Sequence, residues 1–591
     1  MRIRTFCKFI EVNELEPIVL QNSTVVIDGM NFFCRCFVES QLPSQFGCES
    51  HRFANYLRKY LAMFKKANIK CYFVFKGGHQ YVEDMEKVRD VSPIFMMDIL
   101  TEVVHEMGFH YVTCEYESKK DIIELAQVLD CPVISYDIEF CFSGVQYIPS
   151  NELKYSERDN TIKCRYFLLE KYMDKYKYTV EKMALFIVLT DENIFPENFF
   201  LRFFERINAP VTWYQRNSRL LYWLSKNDIE KALKIVSQFV NAEEMKKFVE
   251  EVDKAQVMIG RRETGGIGAA YLLDRATVAV ARNDPKWFPK GVAANHVPKT
   301  YINLHRFKQF YSPVSQDPVL VDPMFLSLEI VKYAYDLLTN FQNDGFMFEY
   351  DINDERESMI VSQKYSIRKP EYEASICVFE NGWGEVRELG LFQHFLKESV
   401  RLVHLEPLNK LPEDAQLLMI ALVYFSRKKQ VDTSTEAVCV LLSYTTLSLV
   451  REKRGMNLPK PPFPSKPILD STTDKSTVTD VDCSIAAAII EEYLTVSDVD
   501  NEDILYDTLQ PLKEFQYCLH QLNCLNLLCG APFTRTVYSR TYAASMVFRL
   551  RLAVGSGGWK PFFDKLLGPA STVYAFLNGL IEVYETLLEL N

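Results

Sequence analysis

The first two hundred residues alternate short apolar runs with amphipathic stretches, and that alternation predicts a parallel sheet with crossover helices. Residues 25–27 are three apolar β-formers closed by Asp28 and Gly29. Residues 71–75 make a second run, ended by Lys76, Gly77 and Gly78. Residues 110–113 make a third and residues 131–135 a fourth. Helical spacing fills the gaps: residues 5–15, residues 53–66 with Tyr56, Tyr60, Leu61 and Phe64 on one face, residues 92–107 and residues 121–129. Parallel neighbours need crossovers of this length.

From about residue 176 the pattern turns helical, with residues 183–190 running up to Asp191. From 196 to about 450 nearly every window keeps helical spacing, broken by a polar, turn-rich patch near 341–370. Residues 453–482 carry Pro459, Pro461, Pro462, Pro464 and Pro467 among Ser, Thr and Asp, which predicts a linker or long surface loop. Residues 483–591 return to helix. No fixed-period repeat is present.

Composition adds limits. A 591-residue chain with 48% hydrophobic and 25% charged residues has the make-up of an ordinary soluble protein of several domains. The net charge of −11 weighs against bulk polyanion binding and leaves only a local basic face for that role. Fifteen cysteines, an odd number without a framework, suit a reducing compartment. The stretch MRIRTFCKFIEVNE lacks the apolar run of a secretory signal, and windows such as residues 437–450 are too short and too polar to span a bilayer. The expectation is an intracellular protein, nuclear or cytoplasmic.

Acids recur where the predicted strands and the 183–190 run end: Asp28, then Glu115 and Glu117, then Asp137 and Glu139, then Asp191. If the strands are parallel, all of them converge on the carboxyl edge, where open α/β sheets bind ligands. Six converging carboxylates repel one another and require counter-charge. Oxygen-only donors favour Mg²⁺ or Mn²⁺, and two such ions can activate water for phosphodiester hydrolysis. The competing reading is that each acid is solvated or caps a helix.

The stretches Val25-Val-Ile-Asp-Gly29, Cys71-Tyr-Phe-Val-Phe-Lys-Gly-Gly78, Cys114-Glu-Tyr-Glu-Ser-Lys-Lys-Asp121, Cys131-Pro-Val-Ile-Ser-Tyr-Asp-Ile-Glu-Phe140 and Leu189-Thr-Asp191 resemble the flap-endonuclease/XPG superfamily, specifically its asteroid branch. Residues 515–533 resemble the far end of asteroid proteins. The likeness spans both ends of the chain, while its middle is only generically helical.

The resemblance implies an α/β PIN-like domain over residues 1–200, a helical asteroid-type region over 201–452, the linker at 453–482 and a C-terminal helical region over 483–591. It further implies a nuclease using two Mg²⁺ (or Mn²⁺) ions to cut single-stranded or branched DNA or RNA. Asp28, Glu115, Glu117, Asp137, Glu139 and Asp191 fall on the superfamily's metal-ligand and catalytic positions. Lys65 and Lys66, with Arg58 and Lys59, lie on the helix before the second strand, and Lys87 and Arg89 follow that strand. In flap nucleases these regions meet the nucleic acid. A solvated helix face is the competing reading.

Three departures stand out. Lys76 replaces an Asp after the second strand, Arg2 replaces a glycine expected near the active site, and Glu139 replaces an Asp. After Asp191, the stretch ENIFPENFFLRFFERI has no glycine and so lacks the superfamily's glycine-rich duplex grip. Gly265-Gly-Ile-Gly268 comes too late in the chain for that role and reads as a turn that starts a helix. Cys518, His520, Cys524 and Cys529 match no zinc spacing and read as buried structural residues. Two functions remain open: a metal-dependent, structure-specific endonuclease, and a catalytically silent nuclease-fold scaffold for nucleic acid or protein.

Overall fold

The structure, a computed structural model, describes the chain except residues 1–5, 44, 48, 80–92, 197, 210–211, 275–285, 312–320, 343–344, 353–354, 363–369, 371–376, 454–468, 495–505 and 591. Arg2, Lys87, Arg89 and residues 454–468 of the proline-rich segment, with all five of its prolines, therefore lie outside the described residues. Two compact units share the chain. Residues 1–36, 59–76 and 108–279 form the first, and residues 37–58, 77–107 and 280–591 form the second.

In chain order the elements that matter to the sheet are α1 (Phe6–Asn13), β1 (Glu16–Leu20), β2 (Thr24–Asp28), α2 (Gly29–Ser40), α3 (Ser50–Lys66), β3 (Lys70–Phe75), α4 (Met96–Glu106), β4 (His110–Thr113), α5 (Lys119–Leu129), β5 (Val133–Ser135), β6 (Tyr147–Pro149), β7 (Lys154–Ser156), β8 (Thr161–Tyr166), α6 (Val180–Thr190), α7 (Ala242–Met258) and α8 (Ile267–Leu272). The five-stranded sheet of the first unit has the order β4-β3-β2-β5-β6, and every pair is parallel. Val25, Val26, Ile27, Phe73, Val74, Val112, Val133 and Ile134 are fully buried. These are the continuous apolar runs that a sheet covered on both faces requires. A smaller antiparallel sheet, β1-β8-β7, was not legible in the apolar pattern.

Gly29 follows Asp28 and opens α2. A Cβ there would come within 2.2 Å of the Phe75 ring, so the tight contact between α2 and the end of β3 admits no side chain. Helices α6 and α7 pack on each other, and α8 packs on α5 and β4.

The second unit is mainly helical. Its core is built on α9 (Glu413–Lys429), α10 (Tyr506–Leu528) and α11 (Ser571–Glu589), with residues 417–425 of α9 entirely buried against α10. The turn-rich patch predicted near 341–370 holds a β-hairpin, residues 345–352 paired antiparallel with residues 355–362, and the first of these strands also pairs with residues 309–311. Helix resumes at Asp480 after the prolines. No helix among the described residues is long and apolar enough to cross a membrane.

Candidate functional site at the carboxyl edge of the sheet

The parallel register sets which side chains meet. Asp28 pairs with Val74, and Phe75 pairs with Thr113, so β2, β3 and β4 end together. Asp28, Lys76 and the loop carrying Glu115 and Glu117 are delivered to one edge, joined by Asp137 just beyond β5. Asp191 differs from the other acids in its support: as the helical spacing predicts, it follows helix α6 rather than a strand, and its Oδ1 accepts the backbone N–H of Asn193 at 3.0 Å.

Asp28 is buried on the central strand. Its Oδ2 accepts from Asn31 Nδ2 at 2.7 Å and from Ser135 Oγ at 2.8 Å. Burial pushes its carboxyl above the ordinary range; the hydrogen bonds from Asn31 and Ser135 oppose the rise, and the nearby charge of Asp137 adds to it. Ser135 in turn accepts the Asp137 backbone N–H at 3.0 Å, and Asp137 Oδ1 accepts the Glu139 N–H at 3.0 Å. Asp137 is thus the cap of a short 3₁₀ turn as well as a member of the acid group.

Two lysines pair with members of this group. Lys119, in the first turn of α5, places its Nζ 3.0 Å from Asp137 Oδ2 and 2.6 Å from Glu139 Oε2. Lys76 Nζ lies 2.5 Å from Glu117 Oε1. Burial alone would lower the Lys119 ammonium, but Glu139 and Asp137 outweigh it and hold Lys119 charged well above the usual lysine range. Lys76 was singled out by the sequence. Lys119 was missed, because in Ser118-Lys-Lys-Asp121 it reads as the solvated start of a helix; its place two residues after Glu117 was the available signal.

The structure therefore joins Asp28 to Asp137 through Ser135, joins Asp137 to Glu139 through Lys119, and joins Glu117 to Lys76. Glu115 lies half-buried on the same loop. Among the described residues, no three His, Cys, Asp or Glu side chains stand close enough together to hold a metal ion. The two Mg²⁺ ions implied by the resemblance do not fit the donors as arranged. One Asp28 oxygen is spent on Asn31 and Ser135, one Asp137 oxygen on a backbone cap, and the gap between Asp137 and Glu139 is filled by an ammonium group.

Among the described basic candidates, Lys65 and Lys66 lie away from the acids. Lys65 and Lys66 end α3, ahead of the first residue of β3, and so lie at the amino edge of the sheet, about 20 Å of strand away from the acids. Lys65 Nζ sits 4.4 Å from the centre of the Phe109 ring and Lys66 Nζ 5.6 Å from that of Tyr155. Lys65, with Lys70 and His110, borders an open groove of about 510 Å³. Arg58 belongs to the second unit, where its Nη2 pairs with Glu106 at 2.8 Å; Lys59 is exposed. The glycine turn is closed internally. The Gly266 N–H donates to Glu124 Oε2 at 2.6 Å and the Ala269 N–H to Asp121 Oδ1 at 2.9 Å, so carboxylates take the place a phosphate would need.

In the second unit, His520 Nε2 lies 3.3 Å from Asp98 Oδ2 and 3.9 Å from Cys524 Sγ, and Arg535 Nη2 reaches Asp98 Oδ1 at 2.5 Å. Cys518, Cys524 and Cys529 are all buried, as expected of structural residues.

Residues 414–590 match the model of the asteroid N-terminal domain, a span that includes the stretch 515–533. Protein asteroid of Drosophila melanogaster is 26% identical over 158 residues, covering 23% of this chain and 18% of that protein. Single-strand DNA endonuclease ASTE1 of Homo sapiens is 27% identical over 188 residues, covering 28% of each. The matches thus span well under two thirds of those relatives. Among solved structures, the catalytic core of Rad2 in complex with DNA substrate is 14% identical over 41% of this chain and 87% of that one, with a TM-score of 0.27. That likeness is slight, and the fold stands on the sheet order given above.

Proposed function

We propose that this relative of the asteroid proteins binds single-stranded or branched DNA through its α/β unit and does not itself cut DNA by the two-metal route. The observation that carries the reading is Lys119 Nζ seated between Asp137 and Glu139. Two-metal hydrolysis needs carboxylate oxygens free to hold ions beside the scissile phosphate. Here those oxygens serve an ammonium, and Lys76 neutralises Glu117 in the same way. The exchange also softens the repulsion that a bare group of acids would exert on a phosphodiester backbone.

A second reading, a metal-dependent structure-specific endonuclease, is favoured by the printed name of the ASTE1 relative and by the survival of Asp28, Glu115, Glu117, Asp137, Glu139 and Asp191. Labelled flap, overhang and single-stranded DNA and RNA, incubated with Mg²⁺ or Mn²⁺, separate the two. Binding without cutting, unchanged in Asp137→Ala, supports the silent binder. Metal-dependent cutting that Asp137→Ala abolishes establishes the endonuclease. Absence of both binding and cutting removes nucleic acid from the account.

A further inference from the structure

We infer that Lys76 and Lys119 are resident counter-ions that have taken over the electrostatic role of divalent metal at this sheet edge, so that reversing them would rebuild a cation site from the chain's own acids. The inference deepens the silent-binder reading and rests on it.

The geometry is that of a bridging cation. Lys119 Nζ contacts oxygens of two different carboxylates, at 3.0 Å on Asp137 and 2.6 Å on Glu139. A lysine ammonium has three donors and no acceptor, so it satisfies several carboxylate oxygens at once, as a hard ion does, and two of the three donors of Lys119 are taken by Asp137 and Glu139. Lys76 pairs with one oxygen of Glu117, the acid on the neighbouring loop.

Placement makes the substitution systematic. Lys76 is the first residue beyond β3, and Lys119 opens α5 five residues beyond Cys114, where β4 has ended. Both lysines are therefore delivered by the same strand ends that deliver the acids, rather than arriving from a distant surface side chain. The remaining acids keep their supports. Asp28 holds Asn31 and Ser135, and Asp137 holds its 3₁₀ cap, so the frame of the edge does not depend on either ammonium.

Replacing Lys119 by Glu would set a third carboxylate between Asp137 and Glu139, and replacing Lys76 by Asp would place another beside Glu117. The double variant would then present a group of oxygen donors with two more carboxylates and neither of these lysines. Such a group prefers Mg²⁺ or Mn²⁺.

The test is Mn²⁺ titration by calorimetry on the full chain, together with melting curves at rising Mn²⁺, for wild type, K76D/K119E and K119Q. Wild type is expected to show neither heat of binding nor a shift in melting temperature. K76D/K119E is expected to give a saturable heat of Mn²⁺ binding that wild type lacks, and to melt progressively higher as Mn²⁺ rises. If that variant folds only when Mn²⁺ is added, the inference is supported. If it folds in neither condition, K119Q decides: it keeps the side-chain length, leaves Asp137 and Glu139 without their cation, and should gain melting temperature with Mn²⁺. A K119Q or a folded K76D/K119E that ignores Mn²⁺ overturns the inference, as does Mn²⁺ binding by wild type that Asp137→Ala removes. DNA binding by wild type in chelator is measured alongside. Wild type that binds DNA and Mn²⁺ defeats the inference alone, whereas wild type that binds neither defeats the DNA reading alone.

Discussion

Ser135 Oγ donates to Asp28 Oδ2 at 2.8 Å across 107 residues of sequence, and the same oxygen accepts the Asp137 N–H. One fully buried hydroxyl thus ties the central strand to the acid turn beyond β5. Ser135→Ala leaves a buried carboxylate with one side-chain donor fewer and frees the Asp137 backbone. We expect a loss of about 1–3 kcal/mol in urea unfolding, the range for an unsatisfied buried polar group.

Asp28→Asn should act in the opposite direction. Burial raises the Asp28 carboxyl in the folded chain, so holding it ionised costs stability above its folded titration range. An amide oxygen can still accept from Asn31 and Ser135, and the repulsion from Asp137 disappears. The variant should be more stable than wild type by about 1 kcal/mol at pH 8. The sign follows from linkage: as pH falls through the raised folded value towards the ordinary one, wild type takes up its proton and the gap closes. Paired melts at pH 8 and pH 5 check this, and a gap that widens at pH 5 would contradict it.

In the second unit, His520 provides a contribution of opposite pH sense. Burial alone would lower its imidazole, but Cys524 and Asp98 overcome that and raise it to about 10. A histidine raised on folding contributes stability that is complete below its unfolded value and fades as pH rises through the folded one. Stability from this group should be full near pH 6 and decline steadily towards pH 10. His520→Gln should flatten that decline. Asp98→Ala, which strands both His520 and Arg535, should cost about 3–5 kcal/mol.

Gly266→Ala tests the closed glycine turn. A Cβ at Gly266 would lie 2.5 Å from Asp121 Oδ1 and 3.0 Å from Glu124 Oε2, the two carboxylates that hold the start of α8. Overpacking of this kind costs about 1–3 kcal/mol. Glu124→Gln, which keeps an acceptor for the Gly266 N–H, should be much milder. Equal losses in the two variants would show that charge, not space, governs the turn.

What the sequence revealed depended on how local the information was. β2, β3, β4 and β5 were legible because each buries a short apolar run of its own, and the acids could be placed because strand ends are marked by that run. α2 escaped notice because Gly29 and Asn31 look like turn residues, although Phe32, Phe33 and Cys36 line its buried face. β1 contains Pro17 and two exposed glutamate and proline positions, and its partner β8 is about 150 residues away, so nothing nearby announces it. The same limit hid the ion pairs of Lys119. A lysine's partner is set by which strand ends meet, and that is a property of sheet order rather than of spacing.

The two units interleave along the chain, and this has a consequence for the timing of folding during synthesis. Asp98 leaves the ribosome 437 residues before Arg535, the cation that holds it. At ordinary translation rates that interval is about 20–90 s. Throughout it, Asp98 lacks the cation that holds it in the folded chain. The sheet unit has all of its residues once 279 is made, whereas residues 37–58 and 77–107 of the second unit emerge early and wait for the stretch from 280 onward.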